Sequence, residues 1–401
     1  MKIDLLSPAS FSTGHPFEQY RWLRNHAPVH WHSESNGPGF WAVTRYRDVF
    51  DVDRNHGAFS SEPTIMIQDP LQEMQFGGYK MMLMMDPPQH TAYRKLIRAE
   101  FTHGPADALA PRMHALATEI VDKIIERGEC DFVQDIAGEM PSYVIAELMG
   151  LPRDDGRELY KLTEIIHTAP ETLPEGAGMQ AVAKMFEYAQ GVIKQKRAWP
   201  ANDLATKLLH AEVDGKRLDD IEFLLFFLLL VDAGGDTTRN LLSSGLIALL
   251  ENPAELAWLK ADLSQRLPSA REELLRWCSP VVYMRRTARH DTAIDGTKIK
   301  QGQKVAMYFG SANRDPDKFD TPDDLRLARM PNEQMAFGNG PHVCLGQHIA
   351  RIEIDAILRE VLQRLEGLAI AGTPEWLPSN FISGPKHLPV KFKPSRKSSP
   401  A

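Results

Sequence analysis

Cys344 stands in FGNGPHVCLGQHIAR (337–351), where residue types and spacing suit a sulfur that binds a metal. Glycines at 338, 340 and 346 let a loop fold tightly beneath a flat ligand, because glycine tolerates backbone angles that other residues cannot. After the cysteine, Ala350, Ile354, Ile357, Val361 and Leu365 recur at spacings of four, three, four and four, which predicts a helix, and Gly367 supplies its stop. A thiol at the entrance of a helix faces unpaired N–H groups and the positive end of the helix dipole, so its thiolate is favoured. A thiolate in such a cradle is what a single axial ligand to haem iron requires, and iron ligated in this way is suited to cleaving O–O bonds. A lone cysteine is more often a small buried hydrophobe. The specified positions Phe337, Gly338, Gly340, His342, Cys344 and Gly346 set this one apart.

Two other segments break local rules. VDAGGDTTRN (231–240) sits in a helical stretch otherwise packed with Leu and Phe. Two mid-helix glycines cost about 1 kcal/mol each relative to alanine, so Gly234 and Gly235 either make room for something or allow close helix packing. Asp236 and Thr237 put an acid and an alcohol beside them, and Asp232 adds a second acid one turn earlier, facing either a pocket or water. REELLRW (271–277) sets Glu273 and Arg276 three apart on one helix face, a spacing that is usually solvated decoration.

FGNGPHVCLG resembles the haem-binding signature of the cytochrome P-450 family, and the resemblance extends over nearly the whole chain. It implies a mainly α fold, a helical prism with a small β-rich region and haem buried between an oxygen-binding helix and the Cys-ligand loop. It also implies one catalytic domain over 1–401, with 393–401 as a frayed tail. Haem b (iron protoporphyrin IX) takes its axial thiolate from Cys344, the metal ligand. Phe337, Gly338, His342 and Gly346 belong to the cofactor loop. VDAGGDTTRN is similar to the family's oxygen groove, in which an acid–alcohol pair, here Asp236 and Thr237, relays protons. DPPQHTAYRKL (86–96) is similar to the haem-contacting helix, and with Arg286 in RRTARHD (285–291) it supplies His90 and Arg94 as propionate anchors alongside His342. The Glu273–Arg276 pair becomes a buried structural element, with Arg329 or Arg326 as its third member. By family position Leu229, Ala233, Gly234, Val282, Phe381 and Ile382 line the substrate pocket.

Composition agrees with a large soluble core: 43% of the 401 residues are hydrophobic and 25% charged. A net charge of −7 offers no basic surplus for nucleic acid or anionic membrane. Three cysteines (130, 278 and 344) suit a reducing cytoplasm rather than a disulfide framework. The start, MKIDLLSPASF, lacks a signal peptide's apolar core, and the longest apolar run, 223–231, is about half a membrane span. Helical periodicity predicts helices at 17–25, 113–126, 141–149, 181–196 and 219–251. A strand is expected at 39–46, a hairpin at 212–217, and strands through 281–308 with turns at Asp295-Gly296 and Gln301-Gly302. The stretch from about Ser60 to Met85 is turn-rich and carries Met66, Met74, Met81, Met82, Met84 and Met85, either as core filling or as a roof over the pocket.

The reading is an O2-dependent monooxygenase, cytoplasmic and monomeric, that hydroxylates an unactivated C–H bond. No flavin or ferredoxin module fits within the chain, so a separate ferredoxin and its reductase deliver electrons. The rivals are a peroxide-driven fatty-acid hydroxylase of the same fold, which would lack the acid–alcohol pair, and a haem-thiolate sensor, which would not need it. GPGFWAVTRY, FSS (59–61) and SNFISGPKHLPV (379–390) look most like bacterial members acting on steroids, terpenoids or branched lipids.

Overall fold

The computed structural model describes residues 1–69 and 77–398. Its helices are α1 (Phe17–His26), α2 (Tyr46–Arg54), α3 (Gln89–Arg98), α4 (His103–Ile124), α5 (Glu139–Met149), α6 (Arg153–His167), α7 (Ala177–Ala198), α8 (Leu204–Leu209), α9 (Asp220–Glu251), α10 (Pro253–Ala261), α11 (Leu263–Cys278), α12 (Phe309–Ala312) and α13 (Gln347–Arg364). Its strands are β1 (Val29–His32), β2 (Phe40–Val43), β3 (Phe59–Ser60), β4 (Glu129–Asp131), β5 (Glu212–Val213), β6 (Lys216–Arg217), β7 (Tyr283–Ala288), β8 (Thr292–Ile294), β9 (Thr297–Ile299), β10 (Lys304–Tyr308), β11 (Ala369–Ile370), β12 (Glu375–Trp376), β13 (Pro385–His387) and β14 (Pro389–Lys391).

α9 is the axis of the helical part and spans about 48 Å at 1.5 Å per residue. Asp219 caps it: its carboxylate accepts from Glu222 N–H at 2.9 Å while the Glu222 carboxylate accepts from Asp219 N–H at 2.8 Å. Residues 223–231 are buried on all sides, as a helix enclosed by neighbours must be. α4, α5, α7, α11 and α13 contribute to the same apolar core. A second cluster joins Tyr20 and Leu23 of α1 to β2, β7 and β10 and to Leu377, Phe381 and Ile382 near the C-terminus.

The main sheet runs β1-β2-β10-β7-β3. β10 pairs parallel to β2 and antiparallel to β7, with Val305 opposite Arg286. Neighbouring residues of a strand point to opposite faces, so β7 sends its two arginines apart: Arg285 to Asp69 at 2.6 Å and Arg286 to Asp53 at 2.7 Å.

Several boundaries differ from the sequence expectation: α4 begins ten residues before the predicted 113, α7 extends beyond 181–196 at both ends, and two further differences have local reasons. The strand predicted at 39–46 stops at Val43, because Tyr46 opens α2 and its N–H donates to the Asp315 carboxylate at 2.7 Å. The helix predicted from 141 begins at Glu139, directly after a π-helical turn (Val133–Ala137) in which Gly138 N–H bonds five residues back to Val133 O. The hairpin at 212–217 forms as β5 and β6, and Asp295 and Gly296, both at positive φ, turn β8 into β9. In the methionine stretch Met82 and Met85 are buried and Met66 and Met84 pack on the second cluster, whereas Pro70 and Met74 lie outside the described residues. In the tail, Ser395 N–H donates to Ile125 O at 3.0 Å and Ser398 N–H to the Asp122 carboxylate at 3.0 Å.

Candidate active site

The loop before α13 is shaped by glycines at two positions. Gly338 (φ +66°) and Gly340 (φ +65°) adopt left-handed backbone, and a Cβ on Gly340 would come within 2.9 Å of Asp53 O. Gly346 caps α13 at φ −81°, a backbone angle open to any residue. Asn339 N–H donates to the Asp53 carboxylate at 2.7 Å, and Cys344 N–H donates to Phe337 O at 2.8 Å, closing the loop. Arg351, one turn into α13, lays its guanidinium 4.6 Å from the centre of the Phe337 ring and pairs with Glu272 at 2.8 Å.

Burial pushes the Cys344 thiol up, whereas the N–H groups of Gly346 and Gln347 and the charges of Arg94 and Arg351 pull it down. The helix entrance therefore acts in the direction expected from the sequence, but desolvation outweighs it for a free thiol. Cys130 lies in β4 opposite Val390 and Cys278 is buried at the end of α11. Burial pushes both up to about 12.

Cationic groups surround this loop. Arg94 donates to Val343 O at 2.6 Å. The His90 and His342 rings lie 3.9 Å apart, and the Ser61 hydroxyl of the FSS segment is 3.1 Å from His342 Nε2. Burial lowers His90 to about 4, helped by Arg94 and Arg286, and lowers His342 to about 2, helped by Arg286, His90 and Arg94. Nδ1 of each ring is buried without a partner. Two neutral imidazoles with unsatisfied nitrogens, pressed by two arginines, form a site that suits an anionic group. Arg286 is already engaged by Asp53, a residue no local pattern marked, so the anchor foreseen on β7 is itself held in place from α2.

On α9, Ala233 is exposed and Thr237, one turn on, is half-exposed, although Val231, Gly235, Asp236 and Thr238 are buried. At Gly234 and Gly235 a Cβ would meet Ile145 at 3.7 Å and Tyr160 at 3.5 Å, ordinary contact with α5 and α6. The two side chains of the acid–alcohol pair have different partners. Thr237 Oγ1 donates to Ala233 O at 3.1 Å, while Asp236 is fully buried against Arg239 at 3.3 Å and accepts from His167 Nδ1. Asp232 is partly exposed but not isolated, since His167 Nε2 lies 3.2 Å from its carboxylate. His167, a lone histidine at the end of a helix, carried no signal in the sequence.

Val282 and Ile382 belong to the second core cluster, Val282 N–H donates to Phe381 O at 2.8 Å, and Phe381 lies edge-on to Tyr283 with ring centres 5.4 Å apart. Leu229 is buried in the helical core, one turn before Ala233. Glu273 is fully buried and accepts two 2.8 Å bonds from Arg276. Arg329 Nε donates to the same carboxylate at 3.0 and 3.2 Å, whereas Arg326 reaches it only through its backbone N–H, its side chain going to Asp320.

The sequence profile of the cytochrome P-450 family matches residues 9–392. The chain belongs to this family. Its relatives include a steroid C26-monooxygenase of Mycolicibacterium smegmatis, 37% identical with 98% of this chain and 96% of that protein covered. A methyl-branched lipid omega-hydroxylase of Mycobacterium bovis is 36% identical over 92% of this chain and 89% of its own length. A Mycobacterium marinum cytochrome P-450 solved with pseudoionone superposes with a TM-score of 0.91 at 36% identity, covering 98% of this chain and 99% of that one. This P-450 is an O2-dependent monooxygenase, and membership of the family implies haem held by a cysteine thiolate. Among the described residues no helix is long and apolar enough to cross a membrane.

Proposed function

We propose that this P-450 holds haem b through Cys344 and hydroxylates an uncharged, apolar molecule of terpenoid to steroid size. The observation that carries the cofactor reading is the convergence of His90, His342, Arg94 and Arg286, two of them with unpartnered buried nitrogens, around the loop that bears the thiol. These four would hold the two propionates, Phe337, Gly338 and Gly346 would lie along the macrocycle, and the haem would supply O2 binding and reductive O–O cleavage. This chain's residues orient the substrate, exclude water and move protons. Thr237, on the half-exposed face of α9, would hold its hydroxyl toward the site, and Asp236 would relay protons to it rather than be their source. Glu273, Arg276 and Arg329 serve the fold. Electrons come from a separate ferredoxin and its reductase in the cytoplasm, and the enzyme acts as a single 1–401 domain.

The substrate class rests on relatives named for steroid and branched-lipid oxidation, on the neighbour holding pseudoionone, and on the apolar wall of Leu229, Ala233, Gly234, Val282, Phe381 and Ile382. A spectral titration with a steroid, a monoterpene, a fatty acid and a simple aromatic tests it. The steroid or terpenoid is expected to give the largest haem shift, and tight binding only to small anions would sink the apolar pocket.

Thr237→Ala is expected to leave reduction and O2 binding intact while diverting electrons to peroxide. Product per NADPH should fall by about tenfold or more, a lower bound against the roughly 10²–10⁴-fold that a positioned proton-transfer group contributes. An unchanged ratio rejects the relay role of Thr237.

A further inference from the structure

His167 is the last residue of α6 and is almost fully buried, its side chain 7% exposed. Each ring nitrogen meets a carboxylate of α9: Nδ1 donates to Asp236 and Nε2 lies 3.2 Å from Asp232. Around this bridge the same two helices place Arg239, which binds Glu164 at 2.9 Å, lies 3.3 Å from Asp236 and stands 4.8 Å over the Tyr160 ring. From β13, Lys386 reaches Glu164 at 3.7 Å, and His387 pairs with Asp131 of β4 at 2.6 Å. With His167 protonated, the cations His167, Arg239 and Lys386 match the carboxylates Asp232, Asp236 and Glu164. A neutral imidazole would leave the partly buried Asp232 carboxylate without a partner, which is costly. The Phe381 ring lies 6.0 Å from His167, so the cluster also adjoins the proposed pocket wall.

We propose that His167 is a positioning residue for oxygen activation: as an imidazolium clamped between Asp232 and Asp236, it ties α6 to α9 and holds the Asp236 carboxylate in register with Thr237. The inference rests on the reading of Asp236 as proton relay, and it assigns to Asp232 a structural reason for being acidic. Burial opposes charge on the ring, but Asp232 and Asp236 outweigh it and hold its pKa well above the ordinary histidine value. The clamp is therefore complete below the ordinary value and is lost as pH rises through the raised one.

The test compares haem-loaded wild type, His167→Gln, Asp232→Asn and Asp236→Asn for product per NADPH across pH, using the panel ligand with the largest spectral shift. Melting temperature is followed over the same range. In wild type, coupling and melting temperature should fall together on the alkaline side. His167→Gln should lower coupling about tenfold, as displacing a catalytic group does, and should flatten both profiles. Asp232→Asn removes one of the two charges that hold the proton, so it should move the alkaline fall to lower pH, and it carries the test if His167→Gln loses haem. A His167→Gln enzyme that melts lower but keeps the wild-type coupling profile overturns the proposal, as does an Asp232→Asn profile that does not move. If Asp236→Asn itself leaves coupling unchanged, the proton-relay reading fails and the clamp with it. If Asp236→Asn uncouples and His167→Gln does not, only the clamp fails.

Discussion

Cys344→His is expected to keep part of its haem and to lose completely the strongly red-shifted CO absorption that a thiolate trans to CO produces. The size of the effect follows from the ligand's charge. A thiolate is an anion that pushes electron density onto iron, and a neutral imidazole at the same position is not. The loop should survive, because its shape comes from Gly338, Gly340 and the bonds from Asn339 to Asp53 and from Cys344 N–H to Phe337 O, none of which uses the sulfur. Cys130→Ala and Cys278→Ala are the controls. Both thiols lie away from the loop, one in β4 and one at the end of α11, and both variants should keep the band. Loss of the band in either control, with its retention in Cys344→His, would move the ligand elsewhere.

Glu273→Ala is expected to yield aggregates or protein without haem. Glu273 accepts from Arg276 and Arg329 side chains, from Asn332 at 3.0 Å and from Arg326 N–H at 2.9 Å, with no exposed surface. Removing it leaves two buried guanidinium groups without their counter-charge, a loss of about 3–5 kcal/mol. That is a large part of the roughly 5–15 kcal/mol by which whole domains are stable. The segment it ties down, residues 320–332, leads directly into the Cys344 loop, so loss of the network and loss of haem should appear together. Full haem occupancy and an unchanged melting temperature in Glu273→Ala would reduce this network to decoration.

The amino-acid sequence by itself determined the parts whose chemistry is local. A glycine-bracketed thiol entering a helix, an acid and an alcohol inside an apolar helix, and a Glu and Arg three apart are all patterns within one turn or loop, so they are legible before folding. The same holds for the turn between β8 and β9. Only the tertiary structure decided what those groups face. It set Gly234 and Gly235 beside α5 and α6, selected Arg329 over Arg326, and gave Arg286 a partner 233 residues away in Asp53. It also joined His167 to Asp236 across 69 residues. The reason is desolvation. A buried charge must find a counter-charge wherever the packed chain brings one, and that partner is set by helix and strand packing, not by its place in the sequence.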